Sequence, residues 1–130
     1  MAMNDTLAAM LSHLRHCDAL GRRECIVKPV SKLSLEIFKI LQDKRYIGSF
    51  EVIEDGKGGH VIIQLIGRIN NCGVVKPRFS VKKGDFVRFE KRYLPAKDFG
   101  MLFVSTSKGV LTHEAAFKEG VGGKLLAYCY

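Results

Sequence analysis

Tyr46-Ile47-Gly48-Ser49-Phe50-Glu51-Val52-Ile53-Glu54, then Asp55-Gly56-Lys57-Gly58-Gly59, then His60-Val61-Ile62-Ile63-Gln64-Leu65-Ile66, is the stretch that decides the fold of the first half. Both outer runs are rich in β-branched and aromatic side chains, which favour extended backbone. The middle run places glycines where the chain must reverse. Two β-rich runs around a glycine-rich turn predict a β-hairpin.

On the N-terminal side of the hairpin the period changes. Leu7, Met10, Leu11 and Leu14 recur at i, i+3, i+4 and i+7, with Ser12, His13, Arg15 and His16 opposite. Asn4, Asp5 and Thr6 offer capping side chains, and Gly21 suits the C-terminal stop. A short strand over 24–28 ends at Pro29. Ser31 then caps a second helix over 32–44, whose core face is Leu33, Ile37, Ile40 and Leu41, widened by Leu35 and Phe38. The first half therefore reads as helix, strand, helix, strand, strand: one three-stranded sheet with two helices against it.

Beyond a junction at Gly67–Gly73 the second half is expected to be mostly β with short helices. Val74–Val81 is extended, interrupted by Pro77. From Asp85 to Tyr93 a short amphipathic helix and a strand are both open. Phe99–Thr106 is a strand, Thr112 caps a helix over 113–119 that Gly120 stops, and Leu125–Tyr130 is the last strand. The fold class is α+β in two small subdomains, 1–68 and 69–130.

The charge is lopsided. The chain carries a net +8, with ten Lys/Arg against eight Asp/Glu in 1–70 and eleven against five in 71–130. Lys76, Arg78, Lys82, Lys83, Arg88, Lys91, Arg92 and Lys97 crowd one segment. Such a surface attracts polyanions by steering and counterion release. Apolar residues make up 47%, enough for a core. The longest uncharged stretch, Gly58–Gly67, is ten residues, far short of a membrane span. The first residues lack a basic region ahead of an apolar run, so a cytosolic protein is expected.

Chemistry-bearing motifs are weak. Cys17, Cys25, Cys72 and Cys129 are far apart in sequence, and His13, His16, His60 and His113 complete no zinc spacing. The four cysteines read as small reduced core residues, and no cofactor is expected. Asp98-Phe99-Gly100 spells a kinase tripeptide without the rest of that machinery. Gly120-Val121-Gly122-Gly123-Lys124 lacks phosphate-loop spacing and precedes a strand. Ser105, Ser107 and His113 have neither a nucleophile elbow nor an evident orienting acid nearby. What stands out is Ser105-Thr106-Ser107, three small hydroxyls after the apolar run 101–104, flanked by glycines. Hydroxyls both donate and accept, and they suit close approach to a dense polar surface.

The ordered whole resembles small-subunit ribosomal protein eight, in its archaeal and eukaryotic form. The resemblance runs end to end through Asp5-x-Leu7, Ser31-Lys32-Leu33, Tyr46-Ile47-Gly48 and Ile53-Glu54-Asp55-Gly56. It continues through Gly67-Arg68-Ile69-Asn70-x-Cys72-Gly73-Val74, Lys76-Pro77-Arg78-Phe79 and Leu94-Pro95-Ala96-Lys97-Asp98-Phe99-Gly100. Its most specific mark is Ser105-Thr106-Ser107-x-Gly109-Val110 with Gly122-Gly123.

The resemblance implies direct binding to the central domain of small-subunit rRNA, with neighbouring small-subunit proteins as further partners and neither membrane nor small-molecule substrate. It gives Ser105, Thr106 and Ser107 the recognition loop, with Lys108 in it, Gly109 setting its turn, and Gly122 and Gly123 admitting adjacent backbone. Arg78 and Lys97 are expected at phosphates from charge and position. Lys124 departs from the acidic residue common in bacterial relatives and receives no carried-over role. A module working outside the ribosome is the other reading. It would tend to carry a tail, a linker or an aromatic stacking platform, none of which the sequence suggests.

Overall fold

The computed structural model describes residues 6–27, 32–54, 56, 59–75, 80–95 and 100–130. They fall into two compact units, Met1–Asn70 and Asn71–Tyr130. The expected caps Asn4, Asp5 and Ser31, the breakers Pro29 and Pro77, and the strand start at Phe99 lie outside the described residues.

The first unit runs α1 (Thr6–Ala19), β1 (Glu24–Val27), α2 (Lys32–Asp43), β2 (Ile47–Ile53) and β3 (His60–Leu65). Its antiparallel sheet has the order β1-β3-β2, so the hairpin's second strand is central. The α1 stripe of Leu7, Met10, Leu11 and Leu14 is buried and extends to Cys17. Gly21 takes φ +73° as the helix closes, with the Arg22 amide reaching back to the Cys17 carbonyl.

The core face of α2 is rotated from the expected one. Ser34, Ile37, Phe38 and Leu41 are buried, whereas Leu33 and Ile40 are half-buried. Phe38, expected at the margin, is fully buried with its ring 5.9 Å from that of Phe50 on β2. The largest apolar surface takes the centre of the face because its burial yields most.

The second unit runs β4 (Cys72–Val74), β5 (Ser80–Val81), a 3-10 turn (Lys83–Asp85), α3 (Phe86–Tyr93), β6 (Met101–Thr106), β7 (Gly109–Thr112), α4 (His113–Glu119) and β8 (Gly123–Cys129). Its sheet is antiparallel. β4 and β5 pair in succession with one edge of β8, β6 pairs with the other, and β7 lies outside β6. The ambiguous segment is helix α3, with Phe86, Phe89 and Glu90 buried. Those residues join Val75, Val81, Leu102, Val104 and Leu125 in one core, apart from Glu90, which is polar. α4 has the expected ends: the Thr112 hydroxyl accepts from the Ala115 amide, and Gly120 closes it at φ +71°.

Candidate nucleic-acid interface

The segment read as a hydroxyl loop is the end of a β-hairpin. Ser105 pairs with Val110 and Thr106 with Gly109, leaving Ser107 and Lys108 as a two-residue turn. Gly109 follows at φ +104°, a value that suits glycine, and it closes the turn without strain.

The three hydroxyls then separate by role. The Thr106 hydroxyl donates to the Gly109 carbonyl at 2.8 Å and accepts from the Lys108 amide at 3.1 Å. It is committed to holding the turn. Ser105 and Ser107 are exposed. The Lys108 ammonium sits 2.8 Å from Glu119 and holds that carboxyl below its usual range, with both side chains about half exposed.

Strand pairing adds a residue that sequence reading left without a role. Lys124 of β8 lies directly opposite Ser105 of β6 on one side and Ser80 of β5 on the other. Directly opposed residues present their side chains on one face. Ser105, Lys124 and Ser80 are all exposed, so two hydroxyls and a cation form a row across three strands. The only sequence signal was position: Ser105 follows the buried run 101–104 and Lys124 precedes the buried run 125–127.

Gly122 and Gly123 admit this chain's own backbone. A Cβ at Gly123 would overlap the Ser105 carbonyl and press on the Thr106 Cα. One at Gly122 would overlap the Val81 carbonyl and meet the Lys82 Cα at 3.0 Å. The bare backbone of Gly123 thus lets β8 lie close beside β6, and that of Gly122 lets the chain entering β8 meet the end of β5. Arg78 and Lys97 lie outside the described residues. Elsewhere in the basic segment, the Arg88 guanidinium lies 4.9 Å over Phe89 and that of Arg92 5.4 Å over Tyr93.

Three arrangements arise only on folding. His113 does have an orienting acid, since its Nε2 lies 2.8 Å from Glu90 in the interior. Its Nδ1 accepts the Leu102 amide at 3.1 Å. Nε2 therefore carries the ring proton and donates it to Glu90, and neither nitrogen is left to take a proton from a serine. The pair ties α3, α4 and β6 together. An aromatic stack is also present: the Tyr128 ring lies 5.7 Å from Tyr93 and 6.2 Å from Tyr130, nearly parallel to both. These rings pack against the core and one another, with Asn71 donating to the Tyr130 hydroxyl. Finally, folding brings His13, Cys17 and Cys25 together although their spacing in sequence resembles no zinc motif.

The chain matches the family Ribosomal protein S8 over residues 5–130, essentially its whole length, and it belongs to that family. It is accordingly a protein of the small ribosomal subunit that binds rRNA, alongside other ribosomal proteins, in a family that is structural rather than enzymatic.

Proposed function

We propose that this protein binds a helix of the central domain of small-subunit rRNA through the β6–β7 hairpin end and the polar row beside it, and so helps that domain assemble. The observation that carries the reading is the division among the hydroxyls. Thr106 fixes the turn, while Ser105 and Ser107 are presented outward with Lys124 opposite Ser105. Double-helical RNA offers a shallow minor groove lined by 2′-hydroxyls, and irregular pairs expose further polar edges. Short side chains on a rigid sheet reach such edges where long ones would clash.

Lys108, Lys124, Arg78 and Lys97 supply phosphate contacts, which set register and salt dependence without reading shape. Gly109, Gly122 and Gly123 act by keeping the hairpin and β8 in place. The first unit contributes RNA-backbone contacts. The segments 67–74, 76–79 and 94–100 support assignment to the archaeal and eukaryotic branch.

The test is a footprint of the purified protein on intact small-subunit rRNA, with sucrose-gradient fractionation of a lysate in parallel. Protection confined to a central-domain helix, with the protein co-sedimenting with the small subunit, is the expected outcome. Equal protection of unrelated duplex contradicts the reading. A protein sedimenting away from the subunit favours a module acting outside the ribosome.

A further inference from the structure

The first unit holds a cluster that RNA binding does not use. His13 and Cys17 are four residues apart on α1, which places them on one face a turn apart. Cys25 on β1 meets them, and one ligand atom from each residue lies within 4.8 Å of the other two. The Cys17 sulfur is 3.7 Å from His13 Nε2. Zinc bonds of about 2.3 Å to sulfur and about 2.0 Å to nitrogen in a tetrahedron put neighbouring ligand atoms roughly 3.5–3.8 Å apart. One edge of that figure is already in place, and the others have to close from no more than 4.8 Å.

We propose that His13, Cys17 and Cys25 form a site for one Zn²⁺ ion, tetrahedral, with the fourth position open to water or an outside ligand.

Three features support the assignment. A two-sulfur, one-nitrogen set is soft and suits zinc rather than magnesium or calcium. Both sulfurs are buried, Cys17 at 1% and Cys25 at 2% exposure, where an uncompensated thiolate is costly. A dication reverses this: each thiol releases one proton to solvent, two S–Zn bonds and one N–Zn bond form, and two thiolates balance the ion's charge. His13, the exposed member of the cluster, helps line a hollow of about 350 Å³ with Ala9, Met10, Ile26 and Val27. The ion would clamp α1 to β1, the two elements that contribute its ligands.

The test uses the full-length, reduced, metal-free protein with Co²⁺ as a spectroscopic probe. One equivalent should give the intense visible bands of tetrahedral cobalt and a thiolate-to-cobalt charge-transfer band, both removed by one equivalent of Zn²⁺. Cys25→Ser should abolish the charge-transfer band from that sulfur, and His13→Ala should weaken Co²⁺ binding by roughly tenfold or more. His16→Ala on the same helix and Cys129→Ala in the second unit should bind as the parent does. If Cys25→Ser fails to fold, the exposed His13→Ala decides alone. Absence of tetrahedral bands in the reduced parent, undiminished binding by His13→Ala, or loss of the bands in Cys129→Ala would overturn the proposal.

Discussion

Ser105 and Lys124 stand directly opposite each other across the β6–β8 ladder, both exposed, with Gly123 letting β8 lie close beside the Ser105 backbone. A small hydroxyl is thereby held next to a cation on a sheet, where neither backbone can drift. In the proposed interface this would combine shape recognition with charge at one place. Lys124→Gln removes the charge while keeping most of the side chain's reach. It should lower affinity for cognate and unrelated RNA alike and reduce the slope of log affinity against log salt by about 1. Binding isotherms at several salt concentrations measure this, and an unchanged slope would remove Lys124 from the interface.

Thr106 is expected to matter for stability first. Thr106→Val removes both turn hydrogen bonds and should lower stability by about 1 kcal/mol, whereas Thr106→Ser keeps the hydroxyl and should melt like the parent. Denaturant melts of the two variants decide it. A stable Thr106→Val protein beside a destabilised Thr106→Ser protein would show that the methyl group, not the hydroxyl, holds the turn.

Gly123→Ala must displace backbone, because the added carbon overlaps the Ser105 carbonyl. A cost of about 1–3 kcal/mol is expected, with weakened RNA binding from a shifted hairpin. Gly84→Ala is the matched control, since an added Cβ there meets nothing within 4 Å among the described residues, and it should stay within about 0.5 kcal/mol of the parent. Paired thermal melts test the contrast.

The elements legible in the sequence were those set by local chemistry. The Thr112 cap and the Gly120 stop fixed α4, and the glycine-rich turn fixed the β2–β3 hairpin. β7 escaped because its turn, Ser107-Lys108, lacks an Asn-Gly or Asp-Gly signature, and four residues are too few for a period to show. The Ser105–Lys124–Ser80 row joins residues from three strands, and the Glu90–His113 pair joins two helices. Cys25 reaches His13 and Cys17 only once β1 lies beside α1. Such contacts depend on register and packing, which spacing along one chain does not encode.

On the proposed reading, in which Lys108 meets phosphate, Glu119 competes with RNA for Lys108. The Lys108 ammonium keeps the Glu119 carboxyl ionised to lower pH than usual, so the ion pair is present above the ordinary carboxylate range and is lost only as pH falls through the depressed value. At neutral pH an approaching phosphate must displace it. Glu119→Gln should therefore raise RNA affinity, by up to about fivefold at low salt, the worth of an exposed pair. Filter binding of parent and variant measures the gain, and an equal or weaker affinity would show that Lys108 does not reach the RNA.

Ser107 bears the central claim, that an outward hydroxyl at the hairpin turn reads the rRNA helix. The direct measurement compares Ser107→Ala with Ser12→Ala, an exposed position on α1, for affinity to the cognate central-domain helix. Removing a hydroxyl from a dry polar contact leaves its partner unpaired, at about 1–3 kcal/mol. Ser107→Ala should lose that much affinity while Ser12→Ala loses none, both with parental circular dichroism and melting. Parental affinity in a folded Ser107→Ala protein would contradict the account and leave the basic surface to carry the binding.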